Sequence, residues 1–384
     1  MTAAGAAGER RLAGLDGIRG LAALFVVVNH IFLRAFPGYP ADRAPPWAAG
    51  FIYGRFAVVV FIVLSGFSLS LSPARHGWRL GGVATFARRR AWRILPPYWA
   101  ALAFSLLMTW MVVAQPGWPR PTGKSVIANA LLVQDAVPAP SPNRAFWSIA
   151  IEAQLYVVLP LLVLAVRRVN RAAPLAIVGV PVFALGGCAA AHVGAAQGLV
   201  DQYTPDLAVL FAVGVVAASL VGTAKGRGRG VWGVSSVALV APVLVLIAVR
   251  GAVWTNTHLF WVDLALGPAI GCFLVAVASI PAAWFVRLLD LRPLRSLGGF
   301  SYSLYLTHMP IVIAAYFGMM QGHVGTGGST FLVLCAVIVP LTVAFARLFA
   351  EVFELPFQRR RGWSAIRPGR PVTPQPTAST TSPA

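Results

Sequence analysis

Ionisable side chains inside long apolar runs are the residues of this chain best placed to do chemistry, because a charge held at membrane depth is costly and is kept mostly where function needs it. Four sets occur. In LDGIRGLAALFVVVNH, Arg19 and His30 stand eleven positions apart. On an α-helix that interval turns through about 1,100°, leaving only ~20° between the side chains and ~16 Å along the axis. The two therefore share one face, a cation toward one end and an imidazole toward the other. In ARRRAWRILPPYW, Arg90 and Arg93 are i, i+3 neighbours, and two guanidinium forks on one face suit bidentate capture of phosphate. In FWSIAIEAQLYVVLP, Tyr156 follows Glu152 at i+4. A carboxylate placed about 7 Å below the outer boundary of its span would match the depth of His30 and could orient it as a general base. In GGFSYSLYLTHMP, Ser301, Tyr305 and His308 fall on one helical stripe, which must face other helices or a cavity.

Each set also has a structural reading. Arg19 can snorkel to the interface, with His30 as a hydrogen-bonded packing residue. The arginine cluster, Arg88 to Arg93, can be ordinary inward-facing positive charge, and Trp147 an interfacial anchor. Glu152 can belong to an inter-helix ion pair, and the late stripe to interhelical hydrogen bonding.

The elements that must position these residues follow from composition. Of 384 residues, 58% are hydrophobic and only 11% charged, whereas soluble domains carry roughly a quarter charged residues. The fold class expected is all-α, a polytopic integral membrane protein with about ten transmembrane helices. Runs of about 20 apolar residues, enough for a ~30 Å core, fall at roughly 12–33, 56–74, 94–114, 146–166, 173–193, 206–222, 230–249, 260–281, 298–317 and 330–353. Pro96 and Pro97 are expected at the entry to the third run. The first span is read as retained, since no small-residue cleavage pattern ends it. Residues 1–358 form one transmembrane domain, and 359–384 a basic, then Pro-, Ser- and Thr-rich cytoplasmic tail expected to be disordered.

The formal charge is +20, from 31 Lys and Arg against 11 Asp and Glu. With a cytoplasmic N-terminus and ten crossings, 22 of the 31 basic residues fall on the inner side, which predicts a multi-pass protein of the cell membrane with both termini cytoplasmic. Nucleic acid is excluded as a partner because the basic residues lie in many separated loops, with no single-face stripe carrying stacking aromatics. The three cysteines sit in apolar runs without CxxC spacing and are expected to be small buried hydrophobes. No metal site is expected.

Taken in order, the motifs resemble those of membrane acyltransferase family 3, which includes O-antigen, peptidoglycan and macrolide O-acyltransferases. The family's Arg-x10-His corresponds to Arg19 and His30, its SGF segment to Ser65, Gly66 and Phe67, and its Arg-x-x-Arg with a following Tyr-Trp to Arg90, Arg93, Tyr98 and Trp99. Its WS-x3-E-x3-Y segment is Trp147, Ser148, Glu152 and Tyr156; its SYxxYLxH is Ser301, Tyr302, Tyr305 and His308; its E-x-P-F is Glu354, Pro356 and Phe357. The chain departs at Ala57–Ile62, where an acidic position of the family pattern is absent.

The resemblance implies an O-acyltransferase that moves an acyl group, most simply acetyl, from cytoplasmic acyl-CoA to a carbohydrate hydroxyl on a cell-surface glycan, without a bound cofactor. Alternative acceptors are an antibiotic or glycolipid sugar. In that reading His30 and Glu152 are catalytic, and Arg19, Arg90 and Arg93 bind the donor. Ser65, Trp147, Ser148, Tyr156, Tyr302, Tyr305 and His308 bind substrate. No appended SGNH esterase segment is read here, so the membrane part either acylates the acceptor itself or passes the group to a separate periplasmic or extracellular partner. An alternative of another class is a proton-coupled transporter or flippase using Arg19, His30 and Glu152 as a relay.

Overall fold

The structure, a computed structural model, describes residues 12–359 apart from 42, 113–119, 138, 222, 224–229, 321, 323 and 324. Among these, all the long elements are helices. They are α1 Leu15–Ala35, α2 Arg55–Arg75, α3 Val83–Leu107, α4 Phe146–Arg168, α5 Ala173–Ala190, α6 Ala196–Tyr203, α7 Asp206–Leu220, α8 Val231–Thr257, α9 Leu259–Ser279, α10 Arg292–Gly299, α11 Ser301–Ala315 and α12 Gly328–Phe353. The expected tail, the N-terminal Arg10 and Arg11, and the basic loop residues Lys225, Arg227 and Arg229 lie outside the described residues.

Among the described residues, eight helices are long and apolar enough to cross a membrane, or nine if the bent pair α6 and α7, which meet at 58°, forms one span. The expectation of ten is therefore too high. The difference lies at 206–222 and 298–317. α7 is a 15-residue helix, about 22 Å long at 1.5 Å per residue and short of a ~30 Å core; α11 is also 15 residues and runs on directly into a π-helical turn, Tyr316–Met320. α11 is separated from α10 by Phe300, whose backbone at φ −127°, ψ 21° is not helical. The third run also begins earlier than expected. α3 starts at Val83, so the arginine cluster is helical, and Pro96 and Pro97 lie inside the helix. There they leave the carbonyls of Trp92 and Arg93 without their usual donors.

Apolar side chains face outward as well as inward. In the most apolar stretch of α8 only 11% of residues are buried, and Val234, Val245 and Val249 are exposed. A helix of that composition is stable with lipid as its solvent. The same outward face explains Cys188, which is exposed on α5, contrary to the expectation that all three cysteines are buried.

The interior is divided among a cluster joining α2, α4, α7 and α9, two clusters around α1, α3, α11 and α12, and a smaller one between α5, α6, α7 and α9. One close junction is α2 on α7. A Cβ on Gly66 would land on the carbonyl oxygen of Phe211, and one on Gly214 on that of Val63. Hydrogen at these positions lets the two backbones touch, as small residues do at membrane helix interfaces. Arg55, at the start of α2, pins the same region. Its Nε donates to Asp263 at 2.5 Å and its Nη2 to Asp206 at 3.0 Å, both carboxylates being almost fully buried. Trp147 covers the guanidinium at 5.4 Å.

Arg55→Met leaves two carboxylates enclosed without their cation and is expected to cost about 3–5 kcal/mol, read as a fall in Tm of the detergent-solubilised protein. Adding Asp206→Asn and Asp263→Asn should recover most of it. Gly214→Val should drive α2 and α7 apart at a cost of about 1–3 kcal/mol, whereas Gly233→Val on α8, where an added Cβ meets nothing within 4 Å, should leave the Tm unchanged.

Candidate active site

A cavity of about 530 Å³ opens where the first turns of α1, the middle of α2, the first half of α3, the N-terminal half of α4, the start of α11 and the end of α12 meet. Its polar wall is built from arginines on α1 and α3 and carboxylates on α1, α4 and just after α12. α1 reaches this place because it lies backbone against backbone on α10: a Cβ on Gly298 would meet the carbonyl oxygen of Asp16. Arg19 is thereby held beside two acceptors. Its Nη1 donates to Asp16 and its Nη2 to Ser68, each at 2.8 Å.

Ser68 lies three residues after Ser65 on α2, so both hydroxyls face the cavity on one stripe. Ser65 donates to Glu152 Oε1 at 2.8 Å, and Tyr156 donates to the same oxygen at 2.5 Å. One α2 stripe thus links the Arg19 cation to the Glu152 carboxylate. Arg90 lies within electrostatic reach of Tyr156, Arg93, Glu152 and Arg19, and its guanidinium sits 5.7 Å over the Phe86 ring. Its Nε is buried with no hydrogen-bond partner among the described residues. Arg93, one turn on, is exposed at the rim.

The start of α11 closes the cavity. Glu354 accepts from the backbone N–H of Ser303 at 3.0 Å and from its hydroxyl at 2.6 Å, so a carboxylate satisfies donors in the first turn of the helix. That anchor fixes the register of the three polar residues that follow. Tyr302 donates to the carbonyl of Ile94 at 3.2 Å. The Tyr305 hydroxyl is 2.6 Å from that of Ser148. His308 is a turn farther along, beyond the cavity lining.

The expected meeting of His30 with Glu152 does not occur. Glu152 is engaged by Ser65 and Tyr156, while the His30 ring lies 5.1 Å from that of His308, centroid to centroid. The reason is depth: Ser65 stands at the middle of α2 and draws the carboxylate toward the Arg19 end. Tyr305, its ring tilted against that of His308 at 5.6 Å and edge-on to Phe61 at 5.8 Å, lies between the polar cavity and the imidazole pair. Of the remaining expected substrate residues, Ser65, Ser148, Tyr156, Tyr302 and Tyr305 line the cavity, whereas Trp147 is engaged with Arg55. Residues not singled out from sequence as part of the site include Asp16, Ser68 and Gln358. Asp16 was legible as an i, i+3 partner of Arg19. Gln358, which donates to Glu354 at 2.6 Å, carried no such signal. Among the described residues no group of three or more His, Cys, Asp or Glu is arranged to hold a metal ion.

Residues 12–347 match a family described as an acyltransferase domain, the third acyltransferase family. The chain is 22% identical to the O-acetyltransferase OatA of Staphylococcus aureus, over 93% of this chain and 58% of the relative. It is 23% identical to the peptidoglycan O-acetyltransferase OatA of Listeria monocytogenes, over 78% of this chain and 49% of the relative. The chain therefore spans about half the length of the curated relatives it matches. No solved structure matches it. With a match over most of its length and an all-helical membrane architecture, this chain belongs to the acyltransferase 3 family.

Proposed function

We propose that this protein is a membrane-embedded O-acyltransferase that transfers an acetyl group from acyl-CoA to a hydroxyl of a cell-wall glycan. The observation that carries this reading is Arg90: a buried guanidinium nitrogen without an acceptor, facing a cavity it shares with Arg19 and Arg93. Arginine forks at a membrane surface suit phosphate oxygens, and a nucleotide-linked donor supplies them. The names of the relatives, O-acetyltransferase and peptidoglycan O-acetyltransferase, support acetyl as the group moved and peptidoglycan as the acceptor class.

In this reading the donor's phosphates lie against Arg90 and Arg93, and its acyl-bearing arm passes Arg19, Ser148 and Tyr305 toward His30. His30 takes the proton of the acceptor hydroxyl as the oxygen attacks the thioester carbon. The tetrahedral adduct then collapses, the carbon–sulfur bond breaks, and the departing thiolate takes that proton from the imidazolium. Ester and free thiol result, and the imidazole is restored. Glu152, with Tyr156 and Ser65 donating to it, offsets the guanidinium charge inside the cavity, so that the donor meets a neutralised wall and not bare cations.

The orientation proposed has both termini in the cytoplasm. The start of α1 and the end of α12 line one cavity, so the two ends of the described chain are at the same end of the bundle. Arg19, Arg90 and Arg93 line that same cavity, and inward-facing positive charge supports placing that end on the cytoplasmic side.

Three experiments test the reading. Purified protein with acetyl-CoA and peptidoglycan fragments should release free thiol and acetylate the fragments; transport of glycan without thiol release would favour a transporter instead. Arg90→Ala combined with Arg93→Ala should raise the KM for acetyl-CoA about tenfold or more while the protein still folds. His30→Ala should lower kcat about 10²- to 10⁴-fold with donor binding retained, and full activity in that variant would refute His30 as the base.

A further inference from the structure

His308 is fully enclosed, with none of its surface exposed. Its Nδ1 lies 2.7 Å from the backbone carbonyl of Tyr305. A carbonyl only accepts, so Nδ1 carries the ring proton and donates it. Nε2 is then a bare acceptor. It is buried, and among the described residues it has no hydrogen-bond partner. An enclosed acceptor without a donor costs about 1–3 kcal/mol, so this nitrogen calls for a donor that is delivered or that moves into place.

Two rings pack against it. The Tyr305 hydroxyl is committed to Ser148 at 2.6 Å. The other ring is His30, half-buried, with its centroid 5.1 Å away and its plane tilted by 31°. A centroid separation of about 5 Å is what an edge-to-edge N–H···N contact of ~2.9 Å needs once both ring radii are added. No hydrogen bond joins the two rings in this structure, and a reorientation of His30 that turns a ring N–H toward Nε2 would make one. Because His308 has no exposed surface, a donor for Nε2 must come from a neighbouring side chain, and His30 is the ring-nitrogen donor packed against it.

We propose that His308 is the positioning residue of His30: its Nε2 accepts the N–H of the His30 ring, which leaves the other His30 nitrogen unprotonated and turned toward the acceptor hydroxyl. The inference rests on His30 being the base of the transfer. During the reaction His30 gains the hydroxyl proton on its outer nitrogen and becomes an imidazolium. Its inner N–H stays on His30, hydrogen-bonded to neutral His308, and the outer proton leaves with the thiolate. His308 does not change its own protonation state. It thus takes the orienting part that spacing and depth had assigned to Glu152.

The full-length protein carrying His308→Leu, His308→Gln or His30→Ala tests this with labelled acetyl-CoA and peptidoglycan fragments. Glutamine retains an acceptor oxygen near the place of Nε2, and leucine has none. His308→Leu should lower kcat about 10²-fold with the KM for acetyl-CoA changed less than about twofold, and His308→Gln should return kcat to within about tenfold of the parent. Equal losses in the leucine and glutamine variants, whether or not Tm falls with them, would make His308 a packing residue and overturn the proposal. An undiminished kcat in His308→Leu would overturn it as well. Full activity in His30→Ala would remove the base itself and the reading on which the inference rests. An inactive His30→Ala beside an unaffected His308→Leu would remove the positioning role alone.

Discussion

A guanidinium group carried into a bilayer keeps its charge and must find acceptors there, and the architecture of this protein is arranged around meeting that demand. Arg19 is met by Asp16 and Ser68, and Arg55 by Asp206 and Asp263. Each solution ties together separate helices, α1 to α2 in the first case and α2 to α7 and α9 in the second. Charge pairing therefore sets which helices can be neighbours, and the glycine contact between α2 and α7 sets how closely they approach. Arg90 is the exception. Its Nε is enclosed and, among the described residues, has no hydrogen-bond partner.

That arrangement separates two kinds of environment along the bundle. One end is a polar cavity with arginines, carboxylates and hydroxyls on five or more elements. Beyond Tyr305 and Phe61 lies a pair of imidazoles in close ring contact. A donor with a charged head and a long neutral arm fits such a division, because its charge stays with the arginines while its reactive end travels on. The aromatic layer of Tyr305 and Phe61 sets the imidazoles apart from the cationic cavity, an arrangement suited to the proposed base, which must be neutral to accept a proton.

α11 is the element on which both environments depend. Of its 15 residues 13 are buried. Its first turn is held by Glu354, brought back from beyond α12. Successive turns then present Tyr302 and Tyr305 to the cavity and His308 to His30. Loosening the carboxylate anchor would shift all three together, which couples the end of the chain's last long helix to the geometry around the imidazoles.

Much of this was legible in the residues alone. Sparse charge and long apolar runs dictated a helical membrane protein, since only internally bonded helices of that length satisfy a backbone in lipid. The spacing of Arg19 and His30, of Arg90 and Arg93, and of Ser301, Tyr305 and His308 placed each set on one face, because helical periodicity is a local property. Which faces met could not be read the same way. The enclosure of Asp206 and Asp263 by Arg55 and the pairing of Glu152 with Ser65 instead of His30 both depend on contacts between positions far apart in sequence. Depth in the bundle, set by helix length, bend and close backbone approach, decided them, and none of these is encoded in the spacing along a single helix.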